Sequence, residues 1–293
     1  MIATTGFFDG VHYGHRLVIE RLVSLAHARG DESLVVTFWP HPRAVLQDGA
    51  RELRLLTTLE EKKALLAGLG VDRVEVLDFT RTFASSTAEQ FLRDILQSRF
   101  GVTTLLMGYD NRLGSDRLTA SQLQPVAWNL GVELLELEPL SFRPGEASGE
   151  ISSTKIRKSL EQGDVLQANA MLGYNYPLTG VVVAGNRLGR TIGFPTANMR
   201  LYEPLKLVPG RGVYMVDVQV LGKTWRGMTN IGLRPTVGGT FTTIETHILD
   251  FDEDIYGLPL TLTFLRRLRD ETHFPSLDAL KAQLAKDRDA CRR

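Results

Sequence analysis

From Ile2 to about residue 140, apolar runs of strand length alternate with segments whose apolar residues recur at helical spacing. Runs at 2–5, 34–38, 74–79, 103–107 and 132–137 read as strands. Segments at 59–69, 87–100 and 121–130 read as helices, the first capped by Thr58 and the second by Ser86 or Thr87. A further helix pattern begins near residue 15, where Leu17, Val18, Leu22, Val23, Leu25 and Ala26 recur. This alternation admits few folds. It implies parallel strands joined by right-handed crossovers, that is, a doubly wound α/β sheet. Ligands of such sheets sit beyond the carboxyl ends of strands, where strand order switches. His12 and His15, His41 and Asp110 all fall at such strand ends.

Residues 153–173 read as two short helices broken at Gly163 and Asp164. After Tyr174 the pattern changes. Strand-like runs at 178–184, 213–221, 223–230, 242–249 and 259–265 are separated by Gly and Pro clusters, which predicts an antiparallel sandwich or barrel. A last helix is expected over 276–288, with Leu277, Leu280 and Leu284 on its apolar stripe. The expected domains are therefore 1–174 and 175–293.

The balance of 34 basic against 34 acidic residues argues against a general nucleic-acid binder, which needs a basic excess. The single cysteine, Cys291, excludes an intrachain disulfide framework and a cysteine-based metal site. No signal-peptide pattern and no apolar run of membrane-spanning length is present, so a cytoplasmic protein with no membrane partner is expected. Composition leaves a homo-oligomer open.

The chemistry is concentrated at residues 6–15, Gly-Phe-Phe-Asp-Gly-Val-His-Tyr-Gly-His. This stretch joins a strand to a helix. A helix N-terminus offers free backbone N–H groups and a positive dipole end, which suit phosphate. Two imidazoles there can bind phosphate oxygens and offset the charge of a transferring nucleotide. His-x-Gly-His at such a turn is the signature of nucleotidylyltransferases. Asp9-Gly10 favours a tight turn, and Gly14 allows close approach of a ligand.

Eight motifs, in order, make the chain resemble the prokaryotic bifunctional riboflavin kinase/FMN adenylyltransferase (FAD synthetase) family over nearly its whole length. Residues 6–15 match Gly-x-Phe-Asp-Gly-Val-His-x-Gly-His, and 37–42 read Thr-Phe-Trp-Pro-His-Pro. Residues 108–114 correspond to Gly-x-Asp-Phe-x-Phe-Gly, and 152–157 to Ser-Ser-Thr-x-Ile-Arg. In the second half 189–198 match Gly-Arg-x-x-Gly-Phe-Pro-Thr-Ala-Asn, and 230–236 match Asn-Ile-Gly-x-Arg-Pro-Thr. Glu245-x-His247, followed by Phe251 and Tyr256-Gly257, and the stretch 268–274 complete the set. One departure stands out. Asn111 and Leu113 replace the aromatic residues usual in the third motif.

The resemblance implies an N-terminal nucleotidylyltransferase domain and a C-terminal riboflavin kinase barrel. The substrates and products would be ATP, riboflavin, FMN and FAD, with Mg2+ accompanying ATP. In the first domain His12 and His15 would serve the triphosphate. Gly6, Phe8, Asp9, Gly14, Ser153, Thr154 and Arg157 would serve the nucleotide or its phosphates, and Asp110 the ribose or a magnesium shell. Asn111 would face the flavin, and His41 has a binding or a structural role. In the second domain Glu245 would take the proton from the ribityl hydroxyl. Thr196 and Asn198 would hold the metal ion. Gly185, Gly189 and Gly193 would shape a phosphate loop, Arg269 would contact the flavin, and Arg190 and Arg234 are further ligand candidates. Three rivals remain: a related transferase with another acceptor, a non-catalytic flavin carrier, and a riboflavin kinase whose adenylyltransferase half is weakened by the loss of aromatics at 111 and 113.

Overall fold

The computed structural model describes residues 1–46, 53–108, 111–137, 151–185, 188–236 and 239–292. Contacts divide the chain into two compact units, Met1–Ser152 and Ser153–Arg293.

The first unit is built on five parallel strands: β1 (Ile2–Thr5), β2 (Ser33–Trp39), β3 (Arg73–Asp78), β4 (Thr104–Gly108) and β5 (Glu133–Leu137). Their order is β3-β2-β1-β4-β5, so the switch in winding lies between β1 and β4. Side chains alternate across each strand, and here both faces are covered. Ile2, Val35 and Leu106 pack on one face with Ile19, Leu22 and Ala26 of helix α1 (Tyr13–Arg29) and Leu66 of α3 (Leu59–Gly68). Ala3, Leu34, Val36, Leu105 and Met107 pack on the other with Phe91, Leu92, Leu96, Leu123 and Ala127. These come from α5 (Ala88–Gln90), which continues as a π-helix over Phe91–Gln97, and from α6 (Ala120–Asn129). Two-sided burial is why the strands read as unbroken apolar runs. The expected caps form: Thr58 and Thr87 each close a capping box, with Glu61 and Gln90 respectively. Two short helices, α2 (Pro42–Leu46) and α4 (Arg81–Ala84), carry too few residues for a periodic signal.

The second unit opens with α7 (Ser153–Glu161) and α8 (Val165–Leu172), separated at Gly163 and Asp164 as expected. Six strands follow: β6 (Pro177–Val183), β7 (Ala197–Leu201), β8 (Gly212–Val220), β9 (Lys223–Thr236), β10 (Gly239–Ile248) and β11 (Pro259–Arg269). They close as a barrel in the order β10-β7-β6-β11-β8-β9, with every pair antiparallel. A single turn of helix, α9 (Leu188–Thr191), precedes β7, and α10 (Leu277–Cys291) ends the chain. The boundary expected near residue 174 falls after α7 and α8, which pack with the barrel. Gly210 N–H donates to Leu160 O at 2.7 Å, and Asn169 Nδ2 donates to Phe264 O at 2.9 Å.

Candidate active sites

The turn after β1 is wound against its own preference. Phe8 and Val11 hold left-handed φ values of 53° and 37°, and Gly10 lies between them at 83°. A β-branched residue in that region is rare, and each such residue costs of the order of 1–3 kcal/mol unless its surroundings impose it. Here they do. Phe8 and Val11 are buried in the core. Asp9, 4 % exposed, accepts the N–H groups of Leu56 and Thr57 at 3.0–3.1 Å, and Thr57 Oγ1 accepts from Gly10 N. Lys62 Nζ donates to Phe7 O at 2.8 Å.

The turn presents the histidine pair. His12 is the N-cap of α1, its Nδ1 accepting the His15 N–H at 3.4 Å, so the proton of the neutral ring resides on Nε2. The two rings stack with centroids 3.6 Å apart, and Phe8 meets His15 edge-on. Burial, then the His12 and Lys62 charges, hold the His15 pKa well below the usual histidine value. Its Nδ1 is buried without a hydrogen-bond partner. Two imidazoles at a helix N-terminus, His15 held neutral by its surroundings, form an anion-facing set of N–H donors. Gly14 leaves the space beside the His12 ring, where an added Cβ would come to 3.4 Å.

Asp9 and Phe8, expected among the nucleotide contacts, face inwards and hold the turn; a carboxylate directed at phosphate would repel it. His41 takes a capping role: its Nδ1 accepts from Arg43 N at 3.0 Å, and its ring packs on Phe7 at 4.1 Å. Asp110 lies outside the described residues. Gly6 and Asn111 both line a cavity of about 530 Å³ at the β1 and β4 ends, whose walls include Phe38, Phe83 and Phe91. An apolar, aromatic cavity beside phosphate donors suits a planar ring attached to a phosphate. Gly114, on its rim, has φ 75°, and a Cβ there would sit 2.1 Å from Ala88 N. Ser153, Thr154 and Arg157 lie in the first turns of α7, in the second unit.

The barrel site is organised by register. Asn198, Glu245, Asn230, Val213 and Arg269 are successive cross-strand partners on β7, β10, β9, β8 and β11. Directly opposed residues point to one face. Ile244, Thr246 and Ile248 alternate with Glu245 and His247 and are buried. Glu245 and His247 thus face a cavity of about 510 Å³, which Thr196, Asn230 and Phe274 also line. The N-terminal half of α10 forms its other wall through Leu277, Leu280 and Leu284. The expected stripe therefore serves the cavity at one end, while Leu284 and Cys291 pack on the barrel cluster at the other.

Glu245 accepts from Arg234 Nη2 at 3.2 Å. His247 Nδ1 donates to Pro195 O at 2.8 Å, which ties the β10 strand to the turn before Thr196. Burial lowers the His247 pKa, so the ring is neutral near pH 7. Gly185 cradles the Asn198 amide: a Cβ there would lie 2.2 Å from Nδ2. Gly189 closes its turn through Phe194 N–H at 2.8 Å, and Gly193 takes φ 84°. Arg190 lines a smaller adjoining cavity with Thr196 and Asp252. Arg269, expected at the flavin, is engaged by Asp287 of α10 at 2.9 and 3.2 Å; both line or support the cavity wall.

Among the described residues no group of three or more His, Cys, Asp or Glu side chains could hold a metal ion. Thr196 and Asn198 supply hard oxygen donors beside Glu245. Such a partial set fits an ion that keeps waters and nucleotide phosphates in its shell, as magnesium does.

Sequence reading overlooked three residues of these sites. Lys62 shares the inner face of α3 with Leu66, and the four-residue spacing was the available signal. Asn230 and His247 stand inside quoted motifs, but only the barrel register gives them a direction.

The fold and both sites define a two-unit, phosphate-handling protein: a parallel-sheet transferase unit followed by a barrel with a carboxylate-bearing cavity. The FAD synthetase family model matches residues 1–155, and the riboflavin kinase family model matches 172–293. Bifunctional riboflavin kinase/FMN adenylyltransferase of Escherichia coli (strain K12) is 38 % identical over 288 residues, covering 98 % of this chain and 90 % of that one. The protein of the same name from Listeria monocytogenes is 36 % identical over 290 residues, with the same coverage. A crystal structure described as a macrolide-efflux protein from Streptococcus pneumoniae superposes with a TM-score of 0.91 at 33 % identity, covering 100 % of this chain and 93 % of that one. Among the described residues no helix is long and apolar enough to cross a membrane. The chain belongs to the bifunctional riboflavin kinase/FMN adenylyltransferase family.

Proposed function

We propose that this chain phosphorylates riboflavin to FMN in its barrel and adenylylates FMN to FAD, with release of pyrophosphate, in its N-terminal unit. ATP is the donor in both reactions. The observation that carries the reading is the pairing of two unlike sites in one family-matched chain: a stacked imidazole pair at a helix N-terminus in one, and Glu245 facing a cavity in the other.

The difference matches the two nucleophiles. The FMN phosphate is already anionic at neutral pH and needs no base, so the N-terminal unit has to align two anions and stabilise the charge growing on the β,γ-phosphates. His12 and His15 donate N–H groups there, and Asp110 serves the ribose or the metal shell. The ring of FMN occupies the cavity beside Asn111. Riboflavin presents a primary alcohol, which a carboxylate activates by accepting its proton. Glu245 takes that proton, which requires Arg234 to leave its present ion pair. Thr196 and Asn198 would hold Mg2+, which would offset the negative charge of the ATP phosphates. The turn spanned by Gly189 and Gly193 wraps those phosphates, and the flavin lies between the barrel wall and α10. The reading places the enzyme in the cytoplasm, the compartment that supplies its ATP.

One incubation with riboflavin, ATP and magnesium, resolved by chromatography, tests the reading. FMN followed by FAD is the expected result. FMN that accumulates without FAD overturns the N-terminal half, and riboflavin that binds without turnover overturns both.

A further inference from the structure

Lys62 is 0 % exposed, and the motifs of the family resemblance do not include it. Its ammonium donates to Phe7 O at 2.8 Å and to Thr37 Oγ1 at 3.1 Å, and lies 3.8 Å from the Phe7 ring centroid. Thr37 Oγ1 in turn donates to the same Phe7 carbonyl at 3.2 Å. A buried lysine is costly, and it is kept where its charge or its geometry is needed. Phe7 directly precedes the left-handed Phe8 and the turn that carries His12 and His15. The charged groups around Lys62 are few. Asp9 faces it from the turn, and His15 from α1. On its own helix Glu61 is bound into the Thr58 cap, while Arg73 and Glu75 of the neighbouring β3 pair with each other.

We propose that Lys62 is a positioning residue of the N-terminal site: it pins the Phe7 carbonyl, so holding the strained histidine turn, and sets a buried positive charge behind the loop that carries His15. The inference rests on the adenylyltransferase reading for its activity test alone. Burial lowers the Lys62 pKa to about 8, with Asp9 opposing that shift. The charge is therefore present at pH 7 and lost as pH rises through about 8. Unfolding has the opposite dependence. The unfolded chain holds this proton up to the ordinary lysine value of 10.5, so between about 8 and 10.5 deprotonation favours the folded state. Activity would fall in a range where this lysine does not weaken the fold.

The test compares wild type, Lys62→Met and Lys62→Arg by two readouts. FAD formation from FMN is followed from pH 6.5 to 9.5, as a ~3-unit span bracketing the lysine shift, with riboflavin phosphorylation by the same chain as the internal control. Expected are an alkaline limb near pH 8 in wild type and its loss in Lys62→Arg, whose guanidinium stays charged. Lys62→Met should lose about 10²-fold in kcat, the scale of a 1 Å misplacement, with kinase activity retained. The second readout needs no substrate. The His15 ring is titrated by NMR and assigned with His15→Gln. Its pKa should rise in Lys62→Met, because the charge opposing the imidazolium is gone. An unchanged His15 titration in a folded Lys62→Met protein overturns the proposal. So does a wild-type FAD profile flat across pH 8, a result that does not depend on either variant folding. A wild type that makes no FAD overturns the functional reading instead, and the His15 titration still decides the role of Lys62.

Discussion

The N-terminal site and the barrel site both bring an ATP phosphate to an oxygen nucleophile, yet they are made from opposite materials. The first is a loop site. Its histidines ride on a turn with two non-glycine residues at positive φ, held by Asp9, Thr57 and Lys62 from behind. The second is a register site, in which Asn198, Glu245 and Asn230 stand in one row because three antiparallel strands pair there. Loop geometry must be imposed by buried polar groups, whereas strand register comes with the sheet. The carboxylates show the same contrast. Asp9 is turned into the protein at the site proposed for a phosphate nucleophile, and Glu245 faces the cavity proposed for an alcohol.

The comparison breaks if either acid–base assignment is wrong. Glu245→Gln should lower riboflavin phosphorylation by about 10²–10⁴-fold, the range for a general base, while FMN is still converted to FAD. Retained phosphorylation would remove the contrast. Asp287→Ala breaks the ion pair with Arg269 that fastens α10 to the barrel. It should cost about 1–3 kcal/mol in denaturant unfolding and raise the KM for riboflavin, because a partly buried guanidinium loses its charged partner. A change confined to stability would detach α10 from the flavin cavity. His15→Ala should slow FAD formation by about 10²–10³-fold and spare the kinase, the size of one lost preorganised donor. The mildest test concerns the unusual third motif. Asn111→Phe should tighten FMN binding by about 0.5–1.5 kcal/mol if the added ring joins the aromatic wall, read from the KM for FMN.

The doubly wound sheet was readable because its strands are apolar on both faces, and the caps because Thr58 and Thr87 have their partners three residues on. Strand β7 was not. Ala-Asn-Met-Arg-Leu buries only Met199, so nothing in its composition announces the strand that closes the barrel. The barrel itself came from the family resemblance, since the runs alone left sandwich and barrel equal. His12 and His15 drew attention by their spacing at a strand-to-helix turn, whereas Glu245 entered only through the family resemblance. Asp9 and Arg269 were harder, because a charged residue in a motif reads the same whether it meets a ligand or a partner in the protein. The partners that decide, Leu56 and Asp287, lie 47 and 18 residues away. Lys62 was passed over for the converse reason: a lysine on a helix is taken for a solvated one until its neighbours are known.

The helices α7 and α8 have a consequence for dissection of the gene. Asn169 accepts from Tyr176 N at 2.9 Å and donates to Phe264 O, so it closes the start of β6 and a carbonyl of β11 with one side chain. A barrel expressed from residue 175 onward loses both partners, and Gly210 loses Leu160. The portable kinase fragment therefore begins at Ser153, and its melting temperature should exceed that of the shorter piece by several degrees, since each orphaned buried group costs about 1–3 kcal/mol.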